Sequence, residues 1–146
     1  MRVVYFVSLF PCWSETFIVR EIHELLKRGV DVRIVSLKPA SEKMVQSDAA
    51  SLLDRVMYPP KGATAVARVL KALLAHPLRS ASELFGLVTS LAAHPEALAK
   101  SLVVWWRALA MLPGIQDLGP RHLHAHWATY PSTAAMIVAG RTGIPF

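Results

Sequence analysis

The stretch from Val4 to Leu26 constrains this chain more than any other. Val4-Tyr5-Phe6-Val7-Ser8-Leu9-Phe10 is rich in β-branched and aromatic residues and lacks regular polar alternation. A strand buried on both faces needs such a run, because neither face meets water. Pro11 closes the ladder, having no N–H to donate. Ser14 is placed to cap a helix in which Ile18, Ile22, Leu25 and Leu26 recur at one-turn spacing. Lys27 and Arg28 suit the negative end of that helix, and Gly29 supplies a left-handed stop. A second strand, Val30 to Leu37, follows at once. The unit is strand, loop, helix, strand. In such sheets ligands bind at the carboxyl ends of the strands.

At 146 residues the chain has the size of one domain with a real core. Hydrophobic residues make up 53% and charged ones 18%, which excludes disorder. A formal charge of +6 and a pI near 9.9 imply an anionic partner; nucleic acid, acidic phospholipid and phosphorylated metabolites all qualify. The single cysteine, Cys12, has no internal disulfide partner, which fits a reducing compartment. Arg2 followed by an apolar run mimics a secretion signal. However, no small-residue cleavage site follows, and Pro11-Cys12-Trp13-Ser14-Glu15 is the wrong flank. No uninterrupted apolar run reaches the roughly 18–20 residues of a spanning helix, so no membrane crossing is expected.

Downstream, the polar segment from Pro39 to Asp54 reads as a loop with a short helix, and Arg55 to Tyr58 as a brief third strand. Three helices then form an insertion over about residues 63–112. The first, near Thr64 to Ala75, puts Val66, Leu70, Leu73 and Leu74 on one side. In the second, Ser80 and Glu83 form a capping box. The third opens on Pro95, carries a Leu98, Leu102, Trp105, Leu109, Leu112 stripe, and ends at Pro113-Gly114. Arg121 to Trp127 is a strand with His122, His124 and His126 on one face, and Pro131 starts a last helix that Gly143 stops. Ile144-Pro145-Phe146 reads as the approach to a further strand, so the chain is expected to be incomplete at its C-terminus. The fold class expected is α/β: a Rossmann-like parallel sheet flanked by helices, with a helical insertion.

Several groups could carry chemistry. The turn Ser14-Glu15-Thr16 offers hydroxyls, a carboxylate and a helix N-terminus suited to a phosphate or an acceptor hydroxyl. On spacing alone Ser14 is a cap, Glu15 complements the dipole and Thr16 is solvated. No G-x-G-x-x-G fingerprint occurs, so a dinucleotide cofactor has no support. Alternate histidines on a strand could chelate a metal, but a third ligand is needed and no acidic residue follows within ten positions. No metal is therefore expected; His124 bonds internally and His126 opens onto a cleft. Trp105-Trp106-Arg107, with Lys100 and Arg79 nearby, fits a membrane interface or nucleic-acid stacking in pattern. Trp105 nevertheless belongs to the core stripe, and core packing is favoured for the pair, with peripheral membrane contact through Trp106 as an addition. Nucleic-acid binding is weak, because the bases are scattered and no recognition motif is present.

Two segments together resemble one family. Phe10-Pro11-Cys12-Trp13-Ser14-Glu15-Thr16-Phe17-Ile18-Val19-Arg20-Glu21-Ile22 is similar to the first loop and helix of bacterial glycosyltransferases of family 4, of the colanic-acid and exopolysaccharide type. His122-Leu123-His124-Ala125-His126-Trp127-Ala128-Thr129-Tyr130-Pro131, with Gly143-Ile144-Pro145-Phe146, is similar to their fourth strand and following helix. The resemblance implies the N-terminal, acceptor-binding half of a GT-B architecture in cell-surface or extracellular polysaccharide synthesis. It implies Ser14, Glu15, Thr16, His124 and His126 as substrate-binding residues and no cofactor, with a nucleotide sugar as co-substrate. It further implies a saccharide or lipid-linked acceptor, a cytoplasmic location that extends to an anionic inner membrane face, and a separate donor domain. The family's further histidine and its donor-holding glutamate pair have no counterpart up to Phe146, so the chain alone is expected to be inactive and no catalytic residue is assigned. The runner-up is a stand-alone binding module left after loss of the catalytic half, and a metal hydrolase on the histidine strand ranks last.

Overall fold

Alternation along the first strand decides which helices cover which side of the sheet. The computed structural model describes residues 1–12, 16–39 and 47–146. Strands β1 (Arg2–Phe10), β2 (Asp31–Pro39), β3 (Val56–Met57) and β4 (His122–Ala125) form a parallel sheet in the order β3-β2-β1-β4. The central strand is β1, paired with β2 from Arg2↔Asp31 to Phe10↔Pro39 and with β4 from Val3↔His122 to Phe6↔Ala125. Its unbroken apolar run is thus explained: Val3 to Val7 are all buried.

Odd residues of β1 face one way. Val3, Tyr5 and Val7 pack with Val32 and Ile34 of β2 against Ile18, Val19 and Ile22 of helix α1 (Thr16–Lys27). Ala49 of the four-residue helix α2 (Ser47–Ala50) and Leu52 complete this side. As the spacing predicts, β1 stops before Pro11, and Gly29 leaves α1 with φ +77°. Even residues Val4 and Phe6, with Val35, Leu37 and Leu123, face helices α5 (Pro95–Leu118) and α6 (Tyr130–Thr142). Helices α3 (Gly62–Ala75) and α4 (Pro77–Leu91) form an outer layer on α5, through Ala65, Val69, Trp105, Leu109 and Ala110. The architecture is α/β and Rossmann-like.

Several local expectations change. Of the three middle helices, α5 covers the sheet, with Val104, Ala108, Met111, Leu112 and Ile115 in the core beneath it. Pro113-Gly114 does not end α5, which continues to Leu118 and stops at Gly119, φ +58°. A proline removes one intrahelical bond. Here Met111 and Leu112 before it and Ile115 after it are anchored to the same core, so the helix runs through. In α3 the buried positions are Ala65 and Val69, while Val66, Leu70 and Leu74 are exposed. The small Ala65 lets α3 approach α5 closely, which the bulkier stripe would prevent. Only Leu73 of the expected stripe packs inward.

The expected capping box also fails. Because α4 starts at Pro77, Ser80 lies one turn inside it and its hydroxyl donates to the His76 carbonyl at 3.0 Å. Glu83 instead accepts from Trp105 Nε1 at 2.8 Å and from Arg141. On the outer edge of β4 the Leu123 N–H donates to the Pro145 carbonyl at 2.9 Å, so the segment after α6 lies alongside that strand. Among the described residues α5 alone has the length and apolar composition to cross a membrane, and the face noted above packs on the sheet.

Candidate functional site at the carboxyl edge of the sheet

Strand β4 ends at Ala125 rather than Trp127. It directs Leu123 and Ala125 toward the α5–α6 side and His122 and His124 toward α1, while His126 follows in the bend just past the strand. Tyr5 pairs in register with His124, and their ring centroids are 4.6 Å apart. The His124 and His126 rings meet edge-on at 4.8 Å. From α1, Phe17 packs edge-on against His126 at 5.6 Å and against Trp127 at 5.9 Å. One helical turn later, on the same face, Glu21 reaches the cluster. The Tyr5 hydroxyl donates to Glu21 Oε1 at 2.5 Å, and Glu21 Oε2 is 3.3 Å from His126 Nε2.

That last approach is an ion-pair distance without hydrogen-bond alignment. Nε2 of His126 and Nε2 of His124 are both buried and have no hydrogen-bond partner among the described residues. Burial is the main cause that lowers the His124 pKa below the ordinary imidazole value, and the neighbouring His126 adds to it. Burial likewise pushes the Tyr5 phenol upward, reinforced by its bond to Glu21 and by that carboxylate's charge. At neutral pH the cluster therefore holds a neutral His124 and a protonated phenol.

Of the residues singled out from sequence, His124 and His126 come together here. Thr16 opens α1 and is partly buried. Ser14 and Glu15 lie outside the described residues. The expectation that His124 bonds internally is not met at its Nε2. Glu21 and Tyr5 carried no role in the sequence. The only signal for Glu21 was its four-residue spacing from Phe17, and its polarity at the rim of an apolar stripe reads as simple exposure.

The opposite face of the same edge holds a cavity of about 320 Å³ lined by Ser8, Lys38, Lys100, Val103, Arg107 and Tyr130, among others. Ser8 and Lys38 stand near the carboxyl ends of β1 and β2, and Tyr130 opens α6. Arg107 Nη1 donates to the Leu37 carbonyl at 2.8 Å, and Lys100 pairs with Glu96 one turn before it. Largely apolar walls with three cations and a phenol suit a ligand with both apolar and oxygen-rich parts. Comparisons with protein-family models, with curated proteins and with solved structures give no match for this chain.

Proposed function

We propose that the chain is the acceptor-binding domain of a nucleotide-sugar-dependent glycosyltransferase in cell-surface or extracellular polysaccharide synthesis. One observation carries the reading: the two segments that resemble such enzymes, far apart in the chain, touch at one carboxyl edge through Phe17, His126 and Trp127. The cavity on the opposite face of that edge supports an acceptor with hydroxyl-rich and apolar portions. Leu74, Leu78 and Phe85 are exposed on α3 and α4, which also carry exposed Lys71 and Arg79. That combination supports a lipid-linked acceptor at an anionic inner membrane face.

In this reading a separate domain holds the nucleotide sugar. Transfer needs both substrates at attacking distance and neutralisation of charge on the leaving diphosphate. The chain by itself therefore binds saccharide but transfers none. Saturation-transfer NMR on the purified chain, with short saccharides and nucleotide sugars offered separately, tests this. Signal is expected from saccharides only. Binding of nucleotide sugar without saccharide, or sugar transfer by this chain alone, would overturn it.

A further inference from the structure

We infer that Glu21, His124 and His126 form a binding site for a divalent transition-metal ion, zinc by preference, open to solvent on one side. The inference stands apart from the glycosyltransferase reading. One ligand atom from each of the three residues lies within 4.8 Å of the others. Zinc–nitrogen bonds of about 2.0–2.1 Å in a tetrahedral site put ligand atoms about 3.3 Å apart. The set must therefore contract by about 1.5 Å at most. The terminal torsions of histidine and glutamate are broad, so side-chain rotation supplies this while β4 and α1 hold the backbone.

The second observation is independent of spacing. Buried Nε2 atoms on both histidines lack any hydrogen-bond partner among the described residues. Buried polar atoms are normally satisfied, and a metal ion is the partner that two converging imidazoles and a carboxylate suit best. Nitrogen donors favour zinc and its neighbours over magnesium or calcium. The Tyr5 hydroxyl already holds Oε1 of Glu21, as an outer partner orients a ligating carboxylate, and leaves Oε2 toward His126. The Glu21 side chain is 41% exposed, so an ion enters from solvent and a fourth position stays open to water or a ligand oxygen. The acidic ligand missing downstream of the histidines is supplied from α1.

Zinc titration of the purified chain in competition with a chromophoric chelator, with cobalt absorption as a second readout, tests the site. One ion per chain is expected, with visible cobalt bands of a nitrogen–oxygen site. His124→Ala and His126→Ala should each weaken binding about 100-fold, and Glu21→Gln at least about tenfold. His122→Ala, on the same strand face but outside the cluster, should leave affinity unchanged. If a histidine variant fails to fold by circular dichroism, the near-isosteric Glu21→Gln decides alone. Failure to hold zinc against the chelator, affinity indifferent to Glu21→Gln, or an equal loss in His122→Ala overturns the inference.

Discussion

Arg141 and Glu83 form an ion pair at 2.7 Å that ties the last helix to the outer layer, with the arginine side chain wholly buried. The same guanidinium donates to Ser80 Oγ at 2.8 Å, and the Glu83 carboxylate also accepts from Trp105. Removing one partner of a buried pair strands the other charge, which costs about 3–5 kcal/mol. Glu83→Leu and Arg141→Leu are each expected to lose that much in urea unfolding. The double variant should regain only part, since Trp105 Nε1 then lacks its acceptor. Single losses below about 1 kcal/mol would refute this assignment.

The two apolar stripes of α3 make opposite demands. Val69 is fully buried, whereas Leu74 is 81% exposed. Val69→Ala should cost about 2–3 kcal/mol through lost burial and a residual cavity. Leu74→Ala should stay within about 0.5 kcal/mol. Denaturant midpoints of the two variants compare the stripes directly, and a reversed order would return α3 to the phase expected from its largest residues.

At the amino end of the sheet, Asp31 meets Arg2 at 2.6 Å, Arg55 at 3.0 Å and Arg33 at 3.4 Å. The hydrogen bond from Arg2 is the main cause that holds the Asp31 carboxyl below its ordinary value, with the arginine charges adding to it. Its folded pKa is lower than its unfolded one, so the pairing stabilises fully above the unfolded value of about 3.9. That stability is lost as pH falls through the folded value. Asp31→Asn should cost about 1 kcal/mol at neutral pH, a figure kept small by partial exposure, and nothing in strong acid. Stability curves of the two proteins that stay parallel down the acid limb would rule it out.

Tyr5 behaves in the opposite sense. Its phenol is raised above the ordinary tyrosine value, first by burial and then by Glu21. The stabilisation is therefore complete below about pH 10 and is lost as pH rises toward the folded value. Tyr5→Phe should cost about 1.5 kcal/mol at neutral pH, the lower end for a bond to a half-exposed carboxylate. In an ultraviolet titration one tyrosine of the wild type should ionise only on alkaline unfolding. Ionisation of all tyrosines near the ordinary value in the folded protein would contradict this.

Val103 lines the cavity on the α5 side and is 47% exposed. Val103→Trp should fill that space, abolish saccharide binding in the NMR assay and shift stability by no more than about 0.5 kcal/mol. Undiminished binding would place the acceptor elsewhere on the edge.

The sequence alone determined the order and type of the main elements. The apolar run of β1, Pro11, the one-turn spacing in α1 and Gly29 each impose a local rule, and the structure follows each. The shared face of His122 and His124 follows from the period of a strand, whereas His126 joins them from the bend after β4. Tertiary structure decided what local periodicity leaves degenerate. Two apolar stripes competed in α3, and close approach to α5 selected the smaller one. Pro113 would end an isolated helix, yet core contacts on both sides carry α5 through it. Glu83, read in sequence as half of a capping box, and Arg141 became a buried pair because α4 and α6 both pack against α5. Glu21 met His126 only through the register of β1 against β4 and the seat of α1 on the sheet. A local pattern specifies which face a residue occupies, whereas the residue across from it is set by packing between segments far apart in the chain.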